Sequence, residues 1–131
     1  MMLTEPMLVQ MEICQEVCIE CQKTCIDTLS YCKSQNNIEM TLICMMRDCA
    51  EMCMMCVNTI ADGSEFAGRT CELCAEMCDR AALACELHTD EKIRMIATIC
   101  RQCARKCRII GQQSAAYFRR PNFLTVAEVI F

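Results

Sequence analysis

Five cysteines stand at 14, 18, 21, 25 and 32 in the stretch CQEVCIECQKTCIDTLSYC. Their steps of four, three, four and seven return to one side of a helix with about 3.6 residues per turn. At about 100° per residue the five thiols stay within roughly 40° of one another. Glu12, Glu16, Glu20, Lys23, Asp27 and Ser30 take the opposite, solvent-facing side. The seam recurs as Cys49-Cys53-Cys56, Cys71-Cys74-Cys78-Cys85 and Cys100-Cys103-Cys107. Thiolate is a soft ligand, and it selects Cu(I), zinc or iron–sulfur clusters. A helical bundle lined with thiols is therefore expected to bind soft metal ions.

Charge decides among these metals. A zinc ion held by four thiolates carries two net negative charges, and zinc wants its ligands converging on one tetrahedral point. A stack of such centres would be heavily charged. Cu(I) and thiolate at one to one are neutral together, so a long row of sites can be buried without a Born penalty. Cysteines three and four apart on one face can share a single low-coordinate ion. Cysteine also serves as a small buried hydrophobe, but aligned seams of a residue this small would leave a bundle core below native density. Cys14-x3-Cys18-x2-Cys21 has the spacing of radical iron–sulfur enzymes, and Cys71-x2-Cys74 looks like a ferredoxin fragment. Ferredoxin clusters want a C-x2-C-x2-C-x3-C-P run, which is absent here. An iron–sulfur or thiol-redox electron carrier and a zinc-buffering bundle are the alternatives.

The elements that carry the seams are four long helices. Thr4-Glu5-Pro6 starts the first, with proline tolerated in the first turn, and it runs to about Ser34. Gln35-Asn36-Asn37 is a polar break. The second helix spans about Ile38 to Ala61, and Asp62-Gly63-Ser64 is a turn with Gly63 suited to a left-handed position. The third spans about Glu65 to Leu87. Thr89 is the expected N-cap of the fourth, with Asp90 and Glu91 in its first turn and an end near Tyr117. Short links give an all-α, antiparallel up-down-up-down four-helix bundle over residues 1–118. Pro121 opens an apolar C-terminal tail, 119–131, which either docks on the bundle or on another subunit or stays a partly ordered tail. On the second helix Met45 and Ile60 are expected to extend the seam. On the fourth the seam reads Ile93, Ile96, Cys100, Cys103, Cys107 and Ile110. Cys44, five residues before Cys49, falls off its seam unless a π-bulge returns it.

Composition narrows the class. Much of the 54% hydrophobic content of this 131-residue chain is 16 Cys and 12 Met, with no Trp. A formal net charge of −4 argues against a nucleic-acid surface. No apolar run is long enough to span a membrane. The start MMLTEPMLVQ lacks the basic and apolar regions of an export signal, so the expectation is a reduced, cytoplasmic chain rather than a disulfide scaffold. There is no acid–base pair, Ser/His/Asp set or phosphate-binding glycine loop, and no enzyme is expected.

The repeated C-x3-C and C-x2-C steps on every helix resemble those of the bacterial copper storage proteins, cysteine-rich four-helix bundles sometimes labelled ferredoxin-like. The resemblance covers about residues 5–117 and is closer to the cytosolic branch. It implies storage and buffering of many Cu(I) ions along the bundle axis, mostly by pairs of thiolates, and a homo-oligomer, a tetramer. The matching thiols are Cys14, Cys18, Cys21, Cys25, Cys32, Cys49, Cys53, Cys56, Cys71, Cys74, Cys78, Cys85, Cys100, Cys103 and Cys107, with Cys44 a further candidate. Partners would be copper ions and a protein that donates or accepts them, with neither nucleic acid nor membrane.

Antiparallel packing gathers Met7, Ile60, Phe66, Ile110 and Phe118 at one end as an apolar plug. The other end gathers Cys32, Met40, Cys44, Cys85, His88 and Ile93. Copper entry is expected there, with His88 and Met40 or Met45 as candidate relay ligands; the alternative for His88 is a surface residue favoured by the helix dipole, and for the methionines core filling is the favoured reading. Arg94, Arg101, Arg105 and Arg108 should line a solvated outer face or pair with the acidic first helix across an interface.

Overall fold

A computed structural model describes residues 4–35 and 39–117, so the tail 119–131, Phe118, Ile38, Asn36 and Asn37 lie outside the described residues. Four helices follow in order: α1 (Glu5–Lys33), α2 (Met40–Ala61), α3 (Ala67–Glu86) and α4 (Glu91–Tyr117). Each helix packs on the two next to it in a closed ring, α1 on α2, α2 on α3, α3 on α4 and α4 on α1. Cross-contacts fix the directions. Cys14 meets Cys107 while Cys18 meets Cys103, and Cys49 meets Cys78 while Cys53 meets Cys74. Partner numbers fall as residue numbers rise, which makes both pairs antiparallel. The expected all-α, up-down-up-down bundle is the one observed.

Local chemistry sets the helix ends. Thr4 caps α1, its hydroxyl accepting from Met7 N at 3.3 Å, a contact of a kind that stabilises a helix by about 1 kcal/mol. After α2, Gly63 takes a φ of 63°. Gly63 N donates to Ile60 O and Ser64 N to Thr59 O, which is the paired bonding of a Schellman turn. α3 begins at Ala67 rather than Glu65, because Ser64 Oγ accepts from Phe66 N and holds the chain in a turn. The cap of α4 is Asp90, not Thr89: its Oδ1 accepts from Lys92 N at 2.8 Å. The other carboxylate oxygen of Asp90 accepts from Tyr31 Oη at 2.5 Å, tying the end of α1 to the start of α4.

The interior is a sulfur core. Every cysteine except Cys44 is buried, together with Met7, Met11, Met46, Leu42, Ile60, Ile93, Ile110 and several alanines. A thiol removes less apolar surface from water than leucine does, at about 0.8 kcal/mol per missing methylene. The thiol seam is therefore a concession of packing energy to chemistry. The α2 seam runs Leu42, Met46, Cys49, Cys53, Cys56, Ile60, so Met46 rather than Met45 continues it. On α4, Ala97 is buried while Ile96 is half-buried. At the plug end Met7, Ile60 and Ile110 are buried as expected, but Phe66 is 51% exposed because it lies in the turn before α3.

The outer face of α4 pairs with α3, within the chain. Arg101 reaches Asp79 at 3.1 Å and Glu86 at 2.7 Å, and Arg108 also binds Asp79. Burial pushes the Asp79 carboxyl up, but the bonds from Arg108 and Arg101 outweigh it and hold it below its ordinary value. Arg94 donates instead to the backbone carbonyls of His88 and Thr89. Among the described residues, no helix is long and apolar enough to cross a membrane.

Candidate metal centre

Seam register and cross-contacts arrange twelve thiols in three layers of four. Cys14, Cys56, Cys71 and Cys107 form the first, Cys18, Cys53, Cys74 and Cys103 the second, and Cys21, Cys49, Cys78 and Cys100 the third. Steps of three or four residues separate the layers on every helix, so each helix contributes one sulfur per turn. Cys25 continues the column past the third layer.

The layers are close enough to act together. Sγ–Sγ distances are 3.5 Å for Cys49–Cys78, 3.6 Å for Cys18–Cys107, 3.7 Å for Cys18–Cys103 and 3.8 Å for Cys53–Cys103. Within a helix, Cys74–Cys78 lie 3.8 Å apart and Cys103–Cys107 4.0 Å. Five groups of thiols have all their sulfurs within 4.8 Å of one another. Four are quartets: Cys18-Cys74-Cys103-Cys107, Cys53-Cys74-Cys78-Cys103, Cys21-Cys49-Cys53-Cys78 and Cys21-Cys25-Cys49-Cys100. The fifth is the trio Cys14-Cys71-Cys107. Neighbouring groups share members, so the sulfurs make one unbroken column rather than separate sites. Cys56 sits beside the trio, its thiol donating to Thr70 O at 3.7 Å while staying close to Cys71 and Cys107.

Electrostatics follow from this crowding. Among the described residues, no Lys, Arg or His is buried, so none of them balances a set of thiolates inside the column. Burial pushes the Cys85 thiol up to about 12, with further repulsion from Cys49 and Cys32. Cys32 is also raised, by burial and then by the nearby Asp90 carboxylate. Within the column the thiols trade hydrogen bonds. Bonds from Cys103 and Cys107 favour the thiolate at Cys18, whereas its bonds with Cys107 and Cys18 push Cys103 up. Neighbouring thiols in the column are thus pushed in opposite directions, one favoured as thiolate while its hydrogen-bond partner is held protonated.

The remaining candidates lie off the column. Cys32 and Cys85 are buried beyond Cys25, at the end that holds Ile93. Cys44 is half-buried in an unbroken α2, with Arg47 Nη2 at 3.8 Å. No π-bulge turns it inward among the described residues. His88 is half-buried in the α3–α4 link, where its Nδ1 accepts from Asp90 N at 3.0 Å. Met40 is 70% exposed and Met45 half-buried. Periodicity alone does not pick out Met46, because three and four residues before Cys49 both fit one helical face.

A four-helix bundle with a buried, continuous thiol column defines a soft-metal-binding protein of high capacity. The family model described as copper storage protein matches residues 7–112, and the chain belongs to that family. It is 30% identical over 99 residues to an uncharacterized cysteine-rich protein, YhjQ, of Bacillus subtilis (strain 168), covering 74% of this chain and 92% of that one. Three solved structures are similar. Nmul_A1745 from Nitrosospira multiformis has 30% identity and a TM-score of 0.74, over 79% of this chain and 96% of its own. Apo copper storage protein 3 from Bacillus subtilis has 30% identity and a TM-score of 0.72, over 76% and 97%. The Cu(I)-bound form, BsCsp3, has 28% identity and a TM-score of 0.73, over 78% and 98%.

Proposed function

We propose that this protein stores and buffers Cu(I), holding many ions per chain on the thiolates of its core, and that it is not an enzyme. The observation that carries the reading is the continuity of the column: five thiol groups that share members, with no buried cation beside them among the described residues. A monovalent ion replacing each proton keeps that interior neutral at any loading, whereas divalent ions on quartets of thiolates build up negative charge. Membership of the copper storage family and likeness to a Cu(I)-bound relative support the same metal.

Free thiols at all 16 cysteines suit a reducing compartment, and the cytoplasm is the compartment we assign. Cys32, Cys85 and His88 mark the end at which copper enters, from a donor protein or from solution. Leu8, Ile19 and Ile26 are exposed and recur on one outward face of α1, which supports a homo-oligomer, the tetramer implied by the family resemblance.

Elemental analysis of protein purified anaerobically from copper-supplemented cells tests the function against its alternatives. The reading expects a colourless protein with copper in large excess over zinc and iron. A brown protein carrying iron and sulfide would establish the electron-carrier alternative, and zinc as the dominant metal the zinc-buffering one.

A further inference from the structure

The end of the bundle that holds Cys32 and Cys85 is fastened by a knot of four side chains. Tyr31, in the last turn of α1, donates from Oη to Asp90 Oδ2 at 2.5 Å. The other carboxylate oxygen of Asp90 accepts from Lys92 N, and Asp90 N donates to His88 Nδ1. Lys92 in turn holds its ammonium 4.9 Å from the centroid of the Tyr31 ring, a cation–π contact. The end of α1, the α3–α4 link and the start of α4 thus meet on one acidic residue.

Two thiols lie beneath this knot. Cys32 follows Tyr31 in the chain and is 1% exposed, and Cys85 is fully buried. Burial, and then the charge of Asp90, raise the Cys32 thiol, which places the carboxylate near that sulfur. An ion bound for the column from this end meets thiols that solvent does not reach, so part of the end must open first. A groove of about 350 Å3 between α1 and α4 runs beside the knot, its lining including Tyr31, Lys92, Thr28 and Ile96. Thr28 is buried and stands on the seam between Cys25 and Cys32, so the groove reaches down to the thiol face of α1. It gives the phenol ring and the ammonium room to swing without displacing packed side chains.

We propose that Tyr31 is a positioning residue for copper exchange: its bond to Asp90 latches the end of α1 over Cys32 and Cys85, and ions pass in either direction while the latch is open. The latch touches no ion, so it sets the rate of exchange and leaves capacity alone. Opening also loosens Asp90, whose N–H must leave His88 Nδ1 before that ring can offer Nε2 to an ion. The proposal rests on the copper-storage reading and on entry at this end, and its experiment separates the three.

Tyr31→Phe keeps the ring and removes the hydroxyl. Thr4→Ala removes the cap of α1 at the opposite end of the bundle and is the control for general loosening. Each protein is loaded anaerobically from a Cu(I)–chelator complex and then stripped by excess chelator, with rates and final stoichiometry recorded. Uptake and release in Tyr31→Phe should both quicken by roughly tenfold, the effect of losing one hydrogen bond to a charged acceptor. Capacity should not change, and Thr4→Ala should follow the wild type. Amide hydrogen exchange should rise at the end of α1 and at Asp90, and not around the thiol column. Unchanged rates in Tyr31→Phe overturn the proposal. So does a quickening shared with Thr4→Ala, which would mean general loosening, or a change in uptake alone, which would give Tyr31 a part in holding the ion. Quickening in Thr4→Ala alone would move entry to the other end and remove the latch with it. A wild type that saturates after one or two ions would remove the storage reading itself.

Discussion

The sulfurs of Cys49 and Cys78 stand 3.5 Å apart across the α2–α3 interface, both fully buried and both free thiols. A separation of this size is in contact without being bonded, and one linearly coordinated ion could enter between the two with a small side-chain adjustment. The same relation repeats along the column, so capacity is a property of the connected set and not of any one pair.

Cysteine substitutions should therefore divide by connectivity. Cys103 belongs to two quartets, and Cys103→Ser should lower copper capacity by about one to two ions per chain. Cys44 lies outside every group, and Cys44→Ser should leave capacity unchanged. In the metal-free protein the half-buried Cys44 should react first with a thiol-specific reagent, and that fast phase should vanish in Cys44→Ser. Equal capacity losses in the two variants would contradict the column.

The metal-free fold should be sensitive to alkali. Cys85 is raised by burial to about 12 from an ordinary 9.0, and Cys32 is raised as well. A group raised in the folded state contributes stability that is complete below its unfolded value and disappears as pH climbs through its folded value. Melting temperature should therefore fall between about pH 9 and 12, and Cys85→Ala should flatten that fall. Copper loading should raise the melting temperature by mass action, with affinity weakening as pH falls because bound thiols must lose protons.

His88 gives a kinetic prediction. Its Nδ1 accepts from Asp90 N, which in the neutral ring leaves the proton on Nε2. Relay of Cu(I) through Nε2 therefore requires the ring to move that proton to Nδ1 and give up the bond from Asp90 N. Stopped-flow loading of His88→Ala should be slower than wild type with the same final capacity. An unchanged rate would remove the relay.

The sequence shows the fold and the thiol lining because steps of three and four have one structural meaning on a helix, and fifteen of the 16 cysteines obey them. It misses where either step was equally good. Met45 and Met46 both follow from Cys49, as Ile96 and Ala97 both follow from Cys100, and only packing chooses between them. Adjacent capping residues are another such case: Thr89 and Asp90 are both good caps, and the bond from Tyr31 adds a tertiary preference for Asp90. The partners of Arg101 and Arg108 on α3 depend on helix rotation, which periodicity does not encode. That Cys56 belongs to none of the mutually close groups depends on small helix offsets that carry no sequence signal.

The central claim is that the thiols load as one neutral column. Its most direct test is an anaerobic titration of the reduced protein with Cu(I) against a coloured chelator. The account predicts tight uptake of about ten or more ions per chain, near one per thiol, before the chelator colours. Saturation after one or two ions would contradict it and leave the column a structural lining around a single site.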